Sequence, residues 1–140
     1  MIICEVGLNH FGDEDYANLY VDRFLKSNAD AITFQVIKDS FYEDERFKSL
    51  KLEKDSFIRI AQRIKDGNKK FGVATDDQGA IDFLETLDVA FYKVLSKDID
   101  NVPLINKLVD DTSKKIFIST GMSDSNEISV FLEHVKPVKD

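Results

Sequence analysis

Five short apolar runs punctuate the chain, at residues 2–6, 31–35, 71–75, 90–96 and 116–121. Four of them end in polar residues able to do chemistry, and the first carries Glu5 inside it. Between the runs, apolar positions recur at helical spacing. Ala17, Tyr20, Val21, Phe24 and Leu25 form one stripe, and Phe57, Ile60, Ala61 and Ile64 a second. Ala80, Ile81, Leu84 and Leu87 mark a short third helix, and Leu104, Ile105, Leu108 and Val109 a fourth. Ile128, Phe131, Leu132 and Val135 continue as a fifth. The punctuation agrees with this division. Asp13, Glu14 and Asp15 suit a helix N-terminus, Gly67-Asn68 suits a stop, and Pro103 fits a first helical turn. Asp124 with Glu127 three residues on reads as a cap. Residues 38–52 are charged and aromatic without a period, and read as a long loop or irregular insert.

Strict β-α alternation predicts a parallel sheet with helices outside it, because buried parallel strands read as continuous apolar runs. The fold class is α/β, as a partial (β/α) barrel of about five consecutive units. An open, doubly wound sheet satisfies the same order. Neither a Gly-x-Gly-x-x-Gly turn nor a Walker-type loop is present, which disfavours a nucleotide-binding open sheet. A complete eight-unit barrel needs roughly 250 residues, and this chain has 140. Five units cannot close a barrel. The chain is then a fragment, or it associates to cover its open edges.

Composition narrows the partners. A hydrophobic fraction of 43% and a charged fraction of 32% are ordinary for one globular domain. A formal charge of −7 argues against nucleic acid as the main partner. Lys69-Lys70 is too short for a phosphate-binding face and reads as decoration at a helix end. Cys4 is the only cysteine, so no internal disulfide forms, and a buried inert thiol is expected. No apolar stretch spans a membrane and no basic leader precedes the first run, so a cytoplasmic protein is expected.

The candidate chemistry gathers at the strand ends, where a βα barrel keeps its working groups. Glu5 sits in an apolar strand and needs a partner, for which Lys93 on the fourth run is the candidate. A structural ion pair and a catalytic acid are both open for Glu5. Lys93 could equally hold an anion or form a Schiff base, as in an aldolase. Ser96 and Asp98 close the fourth run and suit hydroxyl or phosphate recognition, although Asp98 could cap the next helix. Asn9 and His10 lie in a polar loop, where a histidine is ordinarily solvated. Gln35 and Thr75 end the second and third runs. Ser119 and Thr120 precede a helix N-terminus, where anions are stabilised. Singly each is weak; together they form a ring over five successive strand ends.

Residues 2–12 resemble the opening E-I-G-x-N-H-x-G of the sialic acid (N-acetylneuraminate) synthase family. Residues 29–35 resemble its A-D-A-x-K-F-Q, residues 90–96 its A-Y-K-I-x-S, residues 101–105 its N-x-P-L-L, and residues 118–122 its L-S-T-G-M. The resemblance implies the N-terminal part of a catalytic barrel over residues 1–140, without the family's C-terminal antifreeze-like domain. It implies condensation of phosphoenolpyruvate with an N-acylated amino sugar to a nine-carbon sialic-type acid, in carbohydrate biosynthesis. By that likeness Glu5 acts at the reacting centre. Lys93, Thr75, Ser96 and Ser119 hold phosphoenolpyruvate, Gln35 lines the pocket, and Asp98 stands where a glutamate meets the sugar. A divalent metal, Mn²⁺ or Mg²⁺, and a homodimer are also implied. The family's metal-binding histidines match neither His10 nor His134, so no metal ligand is assigned to this chain.

Four positions depart from the pattern. Thr33 replaces a lysine, Asp76-Asp77 replaces P-F, and Lys97 replaces a glycine. Loss of the lysine removes a charge-assisted phosphate contact, about twice as strong as a neutral one. Lys38 or Lys97 is the candidate to restore that charge. Little or no turnover is expected of the 140-residue chain. Its alternatives are a diverged sugar- or anion-binding module and a self-associating half barrel.

Overall fold

The computed structural model describes residues 1–135. Five strands alternate with five helices: β1 (Ile3–Gly7), α1 (Glu14–Leu25), β2 (Ala31–Val36), α2 (Lys54–Asp66), β3 (Lys70–Thr75), α3 (Ile81–Thr86), β4 (Phe91–Val94), α4 (Val102–Asp111), β5 (Lys115–Ile118) and α5 (Ser125–His134). The strands form one parallel sheet in the order β1-β2-β3-β4-β5. Sequential parallel neighbours with a helix in every crossover are the arrangement of a barrel wall, and the partial-barrel expectation stands.

The register sorts side chains between two faces, since paired residues of parallel strands project to the same side. Val6, Ile32, Phe34, Phe71, Val73, Tyr92 and Val94 face the helices and form the core with Ala17, Val21, Ile60, Ile64, Leu84, Leu104 and Leu108. Glu5, Thr33, Gly72 and Phe91 share one row of the opposite, inner face. Gln35, Ala74, Lys93 and Phe117 share the next row toward the strand C-termini. The Phe91 ring lies over Gly72, where a Cβ would come within 2.3 Å of it. It meets Phe117 edge-on at 5.2 Å and is almost wholly buried.

The caps follow the sequence closely. Asp13 accepts the Tyr16 N–H at the start of α1, and Asp124 with Glu127 completes a capping box on α5. Pro103 occupies the first turn of α4, but the cap there is Asn101, which accepts the Leu104 N–H at 3.3 Å. Asp98, the alternative cap, is used elsewhere.

The irregular insert expected at residues 38–52 carries 3-10 turns at Asp39–Glu43 and Lys48–Leu50. Phe41 stacks on Phe47 at 4.6 Å and Lys51 pairs with Asp39 at 2.9 Å, contacts no periodicity announces. Lys70 opens β3 rather than decorating a helix, while the Lys69 ammonium reaches the Ser27 and Ala29 carbonyls just past α1. Cys4 is half-buried on edge strand β1, not enclosed. Among the described residues no helix is long and apolar enough to cross a membrane.

Candidate functional site

Glu5 and Lys93 lie three strands apart in the sheet, yet their side chains form an ion pair. In a flat sheet their backbones would stand roughly 14 Å apart, at about 4.8 Å per strand. A glutamate and a lysine spanning that gap require the sheet to curve around them. The pair is therefore a chord across the concave inner face. The Lys93 side chain is 18% exposed and that of Glu5 42%, so the lysine end of the pair is the more sheltered. Both the structural and the catalytic reading of Glu5 are compatible with this contact.

Gln35 and Asn9 converge at the end of β1. Gly7 has φ +59°, and a Cβ there would lie 3.7 Å from Gln35 Oε1 and 4.0 Å from Asn9 Nδ2. The left-handed turn at Gly7 brings these amides to one place. Asn9 also donates to the Val6 carbonyl at 2.8 Å. Gln35 therefore lies on the Lys93 row of the inner face with Asn9 beside it.

His10 departs from the expectation of a solvated loop histidine. It is fully buried, stacked on Phe34 at 6.0 Å, against a ring of the helix-facing core. Its Nδ1 accepts the Gly12 N–H at 3.0 Å, and Nε2 is enclosed without a partner. Burial pushes its pKa below the ordinary histidine range. Enclosed this way it does not reach the inner face. Among the described residues no group of three or more His, Cys, Asp or Glu could hold a metal ion. The described residues do not fit the implied divalent cation, and the side chain of His134 lies outside them.

Thr75 is fully buried, and its hydroxyl accepts the Asp77 N–H at 3.0 Å. Ser96 opens a 3-10 turn over Ser96–Asp98 and stays partly exposed. Ser119 extends the β4–β5 pairing through its N–H to the Val94 carbonyl at 3.0 Å, and the Thr120 carbonyl accepts from Ser123 N–H at 3.0 Å. Thus Glu5, Lys93, Gln35 and Asn9 share the inner face and its rim. Ser96, Ser119 and Thr120 sit at the adjoining strand ends. His10 and Thr75 are held in local structure.

Sequence reasoning missed a second charged centre on this rim. The Lys97 ammonium lies 2.8 Å from Asp76 Oδ2, donates to Asp98 Oδ1 at 3.3 Å, and is 3.1 Å from Asp98 Oδ2. Asp76 Oδ1 also accepts the Lys38 N–H at 2.9 Å. Both aspartates are at least nine-tenths buried. Partial burial works against the Lys97 charge, but the bonds to Asp76 and Asp98 outweigh it and raise its pKa. Burial, then the nearby Asp76 charge, pushes the Tyr42 hydroxyl up to about 12. Lys97 is therefore committed to two carboxylates and does not replace the strand-two lysine. The available signal was positional: Asp76 and Lys97 each sit just past the end of neighbouring strands.

A concave parallel sheet with an acid–lysine pair on its inner face and polar groups along its C-terminal rim defines a wall of a (β/α)-barrel enzyme fold. The chain belongs to the NeuB family, whose model matches residues 19–139. It is 37% identical over 134 residues to an uncharacterized protein of Methanocaldococcus jannaschii, covering 91% of this chain and 39% of that one. It is 32% identical over 158 aligned positions to the N,N'-diacetyllegionaminic acid synthase of Legionella pneumophila, covering 97% and 44%. The crystal structure of the sialic acid synthetase of Leptospira borgpetersenii, in complex with citrate, superposes with a TM-score of 0.88 at 28% identity, covering 99% of this chain and 50% of that one. The chain spans about two fifths of the curated relatives it matches.

Proposed function

We propose that this chain is the N-terminal part of the catalytic barrel of a sialic-acid-type synthase, acting in the cytoplasm on phosphoenolpyruvate and an N-acylated amino sugar. The observation that carries the reading is the Glu5–Lys93 pair spanning the inner face. An incoming anion competes with Glu5 for the Lys93 ammonium, and its arrival releases the carboxylate. Lys93 then holds phosphoenolpyruvate, with Ser96 and Ser119 donating to its oxygens from the two adjoining strand ends. Thr75 shifts from its local turn to the same task, and Thr120 closes the rim. The freed Glu5 takes the proton of the attacking water. Water adds at C2 of phosphoenolpyruvate while the C2–C3 π electrons bond C3 to the aldehyde carbon of the sugar, and the aldehyde oxygen takes up the proton that Glu5 received; the new C2 hydroxyl then gives up its proton to the departing phosphate, and a keto group remains at C2. Asn9 and Gln35 orient the substrates from the β1 side, His10 supports that loop from beneath, and Asp98 belongs to the sugar end.

The 140-residue chain binds both substrates without turning them over, and a second copy covers its open edges as a homodimer. Calorimetry with phosphoenolpyruvate tests the binding: the chain releases heat with a single site, and Lys93→Met abolishes it. Incubation with phosphoenolpyruvate, Mn²⁺ and N-acetylmannosamine releases no phosphate. Equal phosphoenolpyruvate affinity in Lys93→Met would overturn the assignment of the inner face.

A further inference from the structure

The two bare edges of the sheet differ, and each supplies what the other lacks. Among the described residues β1 and β5 each have a strand on one side only. Each lies beside a helix whose free flank is apolar. On α1, Glu14 and Asp22 reach α2 through Arg59 and Arg63, so the opposite flank is the one next to the β1 edge. That flank carries Tyr16 and Tyr20, continued by the exposed ring of Phe11. On α5, one side lines a cavity shared with α4, and Leu132 stands outside that cavity, 53% exposed.

Strand direction decides how a second copy meets these edges. A two-fold pairing of β1 with β1, or of β5 with β5, is antiparallel and leaves the other edge bare. Pairing β5 of one copy with β1 of the next keeps every strand parallel. It also sets α5 against α1, so that Leu132 meets the aromatic flank. Charge favours the same choice. Lys115 is exposed where β5 begins, and Asp30, 55% exposed, accepts the Ile2 N–H just before β1 begins. Parallel alignment brings these opposite charges to one end of the junction. An exposed pair adds little affinity but selects direction. The sheet is already curved, since Glu5 and Lys93 meet across it. Two such sheets close on one another and leave no strand edge.

We propose that two copies join β5 to β1 twice over, closing a ring of parallel strands with five from each copy. Ser119 and Thr120 of one copy then stand beside Asn9 of the other, and the β1 side of the rim becomes composite. This rests on the homodimer proposed above and goes further by naming the surfaces that meet and what each brings to the site.

Cys4, the chain's only cysteine, lies on β1 and serves as a native reporter. It is in register with Ile32, as Ile116 is with Tyr92 and Ile118 with Val94, so all three face the helices. Neighbouring strands stand about 4.8 Å apart, within reach of a disulfide. Ile116→Cys and Ile118→Cys, checked for folding by circular dichroism, are each oxidised as an equal mixture of isotope-labelled and unlabelled chain. The salt is about 200 mM, to screen the like charge of the copies. Linked peptides are then weighed. In one of the two variants, chosen by the register of the junction, Cys4 links to the introduced thiol and joins labelled to unlabelled chain. The product stops at twice the mass of one copy, and Cys4→Ser in that variant abolishes it. Links of Cys4 to Cys4, links between introduced thiols, a ladder of higher masses, or no link between copies in either folded variant would each overturn the proposal. Heat from phosphoenolpyruvate that Lys93→Met abolishes would then leave the reaction standing, because Glu5 and Lys93 lie within one copy. Without that heat the reaction falls, whatever links form.

Discussion

His10 Nδ1 accepts a hydrogen bond from the Gly12 N–H, so the imidazole's own proton belongs on Nε2, and that edge is sealed in. A second proton has nowhere to go without breaking the Gly12 bond. The folded chain therefore resists protonation, and burial holds the pKa below the ordinary 6.5. The unfolded chain takes up the proton as pH falls through 6.5, and the folded chain does so only lower. Stability from this residue is thus intact above 6.5 and lost as pH drops toward the depressed folded value. Urea midpoints should fall between about pH 7.5 and about pH 5.5. His10→Asn, which keeps an acceptor but does not titrate, should flatten that fall. Glu14, held near 2 by Arg59 and Ser56, acts in a separate and more acid window. Gly72 gives a second residue-scale expectation. A methyl there would press into the Phe91 ring at 2.3 Å, so Gly72→Ala should cost about 1–3 kcal/mol by denaturant unfolding. Composition could not reveal either environment. A histidine in a polar loop and a glycine in an apolar strand each acquire meaning only from the neighbour opposite, Phe34 in one case and Phe91 in the other.

Elements were legible in proportion to how local their causes are. The strands announced themselves as apolar runs, and α5 announced its start through Asp124 and Glu127, whose side chains and backbones satisfy one another within one turn. The insert between β2 and α2 did not. Its two 3-10 turns are held by the Phe41–Phe47 stack, by the Asp39–Lys51 pair and by docking against the β1–α1 loop. That last contact is testable. Gly12 has φ +77°, and a Cβ there would lie 2.1 Å from the Ser49 carbonyl oxygen. Both the backbone and the space require glycine. Gly12→Ala should lift the insert from the sheet and not merely weaken it. Trypsin should then cut at Arg46 and Lys48 faster than at helix sites such as Arg63, while in the wild type the insert should be cut more slowly. Equal cutting rates in variant and wild type would place the insert's order elsewhere. The charged rim belongs to the same lesson. Asp76 and Lys97 looked like isolated departures in the chain and Asp98 like a separate site residue, and parallel pairing of β3 with β4 makes them one cluster.

Among the described residues both ends of the sheet are open. β1 and β5 each have one hydrogen-bonded neighbour, and large apolar side chains are exposed beside them. Met1, Ile2, Phe11, Tyr16 and Leu19 belong to the first βα unit, and Met122 and Leu132 to the fifth. Along α1, Tyr16, Tyr20 and Phe24 continue from Phe11 as a ladder of ring contacts. Such edges and patches favour association. The formal charge of −7 opposes it, because two like-charged copies repel over a distance set by the salt. These two forces make a prediction with a sign. If copies cover one another's edges, the average mass by light scattering should rise with salt between about 20 mM and about 200 mM, as screening shortens the repulsion from roughly 20 Å to under 10 Å. Association through ion pairs would do the reverse and weaken with salt. Leu19→Lys should lower the mass at every salt concentration by adding a charge to the apolar ladder. A mass that stays monomeric throughout would mean that the edges are tolerated bare, and the homodimer proposal would fall while the Glu5–Lys93 site, which lies within a single copy, would be untouched.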